Sequence, residues 1–83
     1  MDNGNVDVVA LFKEAAYEVG GYTLDHLTLD TELADLALSS VAVMETIGFF
    51  EQRLNLRFND DELARLTTLR DLQKLIEKAP RAA

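Results

Sequence analysis

Leu33-Ala34-Asp35-Leu36-Ala37-Leu38-Ser39-Ser40-Val41-Ala42-Val43-Met44-Glu45 carries the strongest structural signal in the chain. An irregular acidic segment passes through two serines into apolar residues at helical spacing, which sets the serines at the mouth of a helix. Serine is a favoured N-cap, and one of the two is enough for that task. With Ser39 as the cap, Ser40 takes the first helical position, its hydroxyl exposed near free backbone N–H groups. Those groups and the positive helix end suit a phosphate. No side-chain base neighbours the serines in sequence. The expected use of such a hydroxyl is therefore as an attachment point.

Downstream the pattern predicts a helix from Ser39 or Ser40 to about Leu54. Val41, Met44, Ile47, Gly48, Glu51 and Leu54 broadly share one stripe, and Val43, Phe50 and Leu54 supply a second. The helix is apolar around more of its circumference than burial on one face requires. Gly48 in its interior costs about 1 kcal/mol relative to alanine, so a close backbone approach by a neighbour is expected there. Whether Val41 and Met44 face solvent or core stays open.

Upstream, Val8, Phe12, Ala15, Ala16 and Val19 predict a helix from about Val6 to Val19, ended by Gly20-Gly21. Residues 21 to 38 form a connection longer than the ~12–15 residues usual inside a small domain, and such connections tend to be functional. Tyr22, Leu24, Leu27, Leu29, Leu33 and Leu36 should pin it across the core. Further on, Asn59-Asp60-Asp61-Glu62 reads as an N-cap opening a short helix that ends near Arg65-Leu66. Thr68-Leu69-Arg70-Asp71 repeats that logic and opens a last helix. Its apolar face is Leu69, Leu72, Leu75 and Ile76, its solvated face Arg70, Lys74 and Lys78, and Pro80 stops it. The expected architecture is all-α: a four-helix bundle of three main helices and one short one, with a long loop between helices one and two. We read residues 1–83 as a single domain with its core at about 6–79.

Composition narrows the function. With 83 residues and no cysteine, the chain has neither disulfide nor thiolate, and its 48% hydrophobic content must supply a compact core. Apolar runs fall far short of the ~20 residues that cross a bilayer. Met1-Asp2-Asn3-Gly4-Asn5 lacks the features of a secretion signal, so a cytoplasmic monomer with no membrane insertion is expected. Net charge is −7, and from Glu14 to Gln52 there are acids (Glu14, Glu18, Asp25, Asp30, Glu32, Asp35, Glu45, Glu51) but no lysine or arginine. Such a surface repels nucleic acid and anionic lipid, and steers in partners with basic patches.

Two other chemistries have their residue types in this chain but not their surroundings. Ser40, His26 and an acid would satisfy the inventory of a hydrolase triad. No nucleophile elbow or Gly-rich oxyanion loop surrounds Ser40, however, and a chain of this size leaves little room for a pocket of ~300 Å³ or more. We therefore assign no catalytic residue. Asp60-Asp61-Glu62 lacks the alternating ligands and central glycine of a calcium loop. Charge at a helix N-terminus accounts for it, and no metal is expected.

Asp35-Leu36-Ala37-Leu38-Ser39-Ser40-Val41 resembles the attachment motif of the acyl carrier protein family, usually Asp-Leu-Gly-x-Asp-Ser-Leu. Here Ala37, Ser39 and Val41 stand for the glycine, the second acid and the last leucine. Leu54-Asn55-Leu56-Arg57-Phe58-Asn59-Asp60-Asp61-Glu62-Leu63 and Thr68-Leu69-Arg70-Asp71-Leu72 are similar to two later segments of the family, in order and at its spacing. The resemblance implies that a phosphopantetheinyl transferase moves 4′-phosphopantetheine from coenzyme A onto Ser40. The terminal thiol would then hold an acyl group as a thioester for fatty-acid or polyketide-type biosynthesis, and the protein itself would be no enzyme. It also implies a docking surface at Asp35, Leu36, Val41, Met44, Glu45 and Glu51 for loading ligases and biosynthetic enzymes with basic patches. An aminoacyl or peptidyl carrier of a nonribosomal-peptide-type pathway is the alternative, and an unmodified helical adaptor is a further one.

Overall fold

The computed structural model describes residues 6–79; Pro80 and the segment 1–5 lie outside the described residues. Helix α1 spans Val8–Gly20 and begins where the Asp7 carboxylate accepts the Ala10 N–H at 3.1 Å. That cap sets the start at Val8 rather than Val6. Gly21 ends the helix at φ 71, a left-handed conformation that glycine adopts without a Cβ penalty, and its N–H donates to the Tyr17 carbonyl at 2.7 Å.

Helix α2 spans Ser40–Leu54, with Ser39 as its cap and Asn55, at φ 53, as its end. Asn59 accepts N–H bonds from Asp61 and Glu62 at 2.8 and 3.4 Å and opens α3, Asp60–Leu63. This short helix stops at Leu63, before the Arg65-Leu66 expected from sequence. Turn bonds from Arg65 and Leu66 N–H to Glu62 and Leu63 carbonyls continue the path. Helix α4, Leu69–Lys78, opens on a full capping box between Thr68 and Asp71.

The described residues thus hold four helices in a small bundle, joined by one isolated bridge, Glu32 with Thr68. Phe12 of α1 and Phe50 of α2 meet at the centre, ring centroids 6.1 Å apart and tilted by 52°, a geometry aromatic pairs favour. Leu56, Leu69, Leu72 and Ile76 close the core around them. The long connection is pinned as its leucines suggested: Leu27 is buried, and Leu24, Leu29, Leu33, Leu36 and Leu38 pack against the core.

Backbone bonds fix that connection to the start of α4. Leu33 N–H reaches the Thr67 carbonyl (2.8 Å), Leu69 N–H that of Thr31 (3.2 Å) and Arg70 N–H that of Leu29 (2.8 Å). Arg70 also pairs with Asp30 at 3.0 Å. A 3₁₀ turn, Leu33–Asp35, follows and leads toward the serines. The approach to α2 is therefore held at both ends, by α4 and by the Ser39 cap.

For α2, one open question is answered and one expectation is corrected. The first stripe divides: Ile47 and Leu54 turn inward with Ala42, Val43, Thr46 and Phe50, while Val41 and Met44 are 68% and 58% exposed. At about 100° per residue the six positions cover an arc of about 140° centred away from Ala42, Thr46 and Phe50, so only its edge, Ile47 and Leu54, packs inward. The close approach expected at Gly48 is absent, since a Cβ there would meet no atom within 4 Å. Arg53 ties α2 to α1 instead, pairing with Glu14 at 2.6 Å and lying 4.8 Å from the Phe49 ring centroid.

Candidate functional site

The mouth of α2 separates its two serines by hydrogen bonding. Ser39 Oγ accepts the Ala42 N–H at 3.0 Å, and the Ser39 carbonyl accepts the Val43 N–H at 3.0 Å. That leaves the N–H groups of Ser40 and Val41 without a partner among the described residues. Ser40 is the first helical residue, exposed, and its hydroxyl takes no part in the cap. Two open donors and the positive helix end surround a free hydroxyl, an environment that accepts a phosphodiester. Ala37 has φ outside the left-handed region, so alanine there costs no strain.

Beside the serine lies an open apolar groove of about 350 Å³. Leu36, Leu38, Val43, Ile47, Leu63 and Leu66 line it together with Ser40 and Met44. A second open cavity of about 400 Å³, between the 57–59 segment and the end of α4, does not include Ser40. Both exceed the room allowed from chain length alone. The reason is that short helices and a long connection leave furrows between elements that a closely packed bundle would fill.

The docking residues expected from sequence fall into three environments. Asp35, Val41, Met44 and Glu45 are exposed near the α2 mouth, whereas Leu36 is half-buried and lines the groove. Glu51 is half-buried, and its carboxylate accepts the Phe58 N–H at 2.9 Å, tying α2 to the 55–59 segment. His26 sits exposed in the long connection at φ 58, and no hydrogen bond joins it to Ser40 among the described residues. Asp60, Asp61 and Glu62 stand in the first turn of α3, and no three histidine, aspartate or glutamate residues among those described gather as a metal cluster. No helix among the described residues is long and apolar enough to cross a membrane.

The shifted carboxyls are structural. Asp71 lies below the usual aspartate range because it accepts N–H bonds from Thr68 and then Thr67. Glu14 is lowered by its bond from the Arg53 guanidinium. Both lie away from the serines in sequence, on α4 and α1.

Against this geometry, a family model described as the phosphopantetheine attachment site matches residues 8–76. The chain belongs to the phosphopantetheine-binding acyl carrier protein family. It is similar to the acyl carrier protein of Thermotoga maritima, whose crystal structure superposes with a TM-score of 0.75 at 28% identity, covering 83% of this chain and 81% of that one. It is also similar to the non-reducing polyketide synthase tazA of Aspergillus terreus, 27% identical over 74 residues that make up 89% of this chain. The match spans only 3% of that synthase's length. Members of this family hold 4′-phosphopantetheine covalently and are generally non-catalytic carriers. The open donors, free hydroxyl and adjoining groove at the α2 mouth fit such a group.

Proposed function

We propose that this carrier-family chain takes its phosphopantetheine on Ser40 and carries an acyl group for fatty-acid or polyketide-type biosynthesis. The observation that carries the reading is the division between the serines: Ser39 Oγ is committed to the Ala42 N–H, and Ser40 Oγ is left exposed at the first helical position. In the modification, the Ser40 oxygen attacks the pantetheine-side phosphorus of coenzyme A. Its proton passes to a base of the transferase, and 3′,5′-adenosine bisphosphate leaves with the other phosphate. When bound, the arm supplies a thiol that holds the acyl group as a thioester, which this cysteine-free chain otherwise lacks.

The chain's own residues orient rather than catalyse. The unpaired Ser40 and Val41 N–H groups would hold the phosphodiester, and the α2 N-terminus would offset its charge. Asp35, Val41, Met44 and Glu45 form the face offered to the transferase and to biosynthetic enzymes with basic docking patches, with Leu36 behind it in the groove. Glu51, occupied by the Phe58 N–H, is left out of that face. An acyl cargo is favoured over an aminoacyl one because the groove beside Ser40 is lined by aliphatic side chains, where an ammonium group would be desolvated at high cost. The similarity to a fungal polyketide synthase points the same way. One continuous apolar core supports treating residues 1–83 as a single carrier domain.

Incubation with coenzyme A and a broad-specificity phosphopantetheinyl transferase tests the proposal by intact mass. The chain and its Ser39→Ala variant should each gain one phosphopantetheinyl group, and Ser40→Ala none. A gain that survives in Ser40→Ala overturns the assignment.

A further inference from the structure

Helix α4 carries its cations on the side turned from the core. At about 100° per residue, Leu69, Leu72, Leu75 and Ile76 gather on one side, and Arg70, Lys74 and Lys78 form a ridge on the other. Among the described residues, Arg53 pairs with Glu14, Arg70 with Asp30 and Lys78 with Glu62. Lys13, Arg57, Arg65 and Lys74 make no such pair there. Two of these four come together. The turn after α3, closed by the Arg65 N–H to the Glu62 carbonyl, brings Arg65 to a cleft of about 220 Å³ that Lys74 also lines.

The cleft's own acids do not bridge these cations. Glu62 is committed to Lys78, and Asp71 accepts the Thr67 and Thr68 N–H groups. Lys74 attracts the Asp71 carboxylate without pairing with it. Two like charges at one open cleft favour an added anion. Continuity says which anion. Leu66 lines this cleft and also the groove of about 350 Å³ beside Ser40, so the two spaces meet at one side chain. A chain lying along Leu38, Val43 and Ile47 and passing Leu66 ends at Arg65 and Lys74. The stretch from Glu14 to Gln52, without lysine or arginine, repels such an end from the rest of the surface.

We infer that the cargo is an acyl chain ending in a carboxylate, a dicarboxylic acid held by one end as the thioester, with its free carboxylate at Arg65 and Lys74. The inference rests on Ser40 bearing the arm and on the groove taking the acyl chain. The methylene groups leave water against aliphatic side chains, while the charged end stays at an open, cationic cleft, so no charge is buried unpaired. An acidic segment of a partner protein has the same charge, but it makes no use of the groove that adjoins the cleft.

A broad-specificity transferase supplied with acyl-coenzyme A can load the full chain with hexanoyl, octanoyl or decanoyl groups, or with their ω-carboxyl counterparts adipoyl, suberoyl and sebacoyl. Thermal melting of each loaded form reads the effect of the end group. At one or more of these lengths the ω-carboxyl form should melt about 2–4 °C above its methyl-ended counterpart. Salt at about 1 M should shrink that difference. The double variant Arg65→Gln with Lys74→Gln, both at exposed positions, should load as wild type does and erase it. Equal melting of the two series at all three lengths overturns the inference and leaves the cations to an acidic protein partner. An advantage that survives in the double variant overturns it too. A wild-type chain that takes no arm overturns the Ser40 reading and this inference with it.

Discussion

Replacing Ser39 should weaken the fold without touching the hydroxyl offered to chemistry. Ser39 Oγ satisfies the Ala42 N–H at 3.0 Å, a donor that the first turn of α2 cannot satisfy by itself. Alanine at such a cap costs about 1 kcal/mol, and in a domain of this size that lowers the melting temperature by about 4–8 °C. Glycine costs only a few tenths of a kcal/mol, or roughly 1–3 °C. Aspartate keeps the acceptor and adds a negative charge at the positive helix end, so Ser39→Asp should match or exceed wild type. Ser40→Ala, at an exposed first helical position, should stay within about 0.5 kcal/mol. Far-ultraviolet circular dichroism through thermal unfolding reads the whole series. The expected order is Asp at or above Ser, then Gly, then Ala. A Ser39→Ala protein as stable as wild type, or a Ser40→Ala protein that loses the larger share, refutes the division of labour between the serines.

Two further outcomes follow from named geometry. Glycine to alanine should have opposite signs at two sites: Gly21→Ala loses about 1–2 kcal/mol because φ 71 crowds a Cβ, whereas Gly48→Ala gains about 1 kcal/mol; urea midpoints decide both. The Asp71 carboxyl is held below its ordinary value by the Thr68 and Thr67 N–H groups, so its folded pKa lies under the unfolded one of about 3.9. Its stabilisation is then complete above that unfolded value and is lost as pH falls through the lower folded one. Denaturation midpoints of wild type and Asp71→Asn should accordingly converge as pH is lowered from about 5 to about 2. A gap that widens on acidification contradicts the assignment.

The parts of the fold legible in the sequence are those set by neighbours along the chain. The α2 start at Ser40, the Asn59 and Thr68 caps and the glycine end of α1 each follow from residues within four positions. Leucines in the long connection announced their burial by type alone. Bonds between distant segments were not legible: the pairing of residues 29–33 with 67–70 uses backbone atoms that any sequence supplies. The same holds for Glu51, whose partner is the backbone N–H of Phe58. Val41 and Met44 look like core residues by type, and only the placement of α1 against the other side of α2 shows them exposed. At the candidate site, the order of the two serines was readable because the cap spacing is local. The groove was not, since Leu63 and Leu66 reach it from another part of the chain.

Fragmenting the intact modified protein in a mass spectrometer shows whether Ser40 bears the phosphopantetheine. Cleavage between Ser39 and Ser40 assigns the added mass to one residue or the other. The expected spectrum has every fragment ending at Ser39 unmodified and every fragment that includes Ser40 heavier by one phosphopantetheinyl group. Added mass on fragments that end at Ser39 contradicts the account.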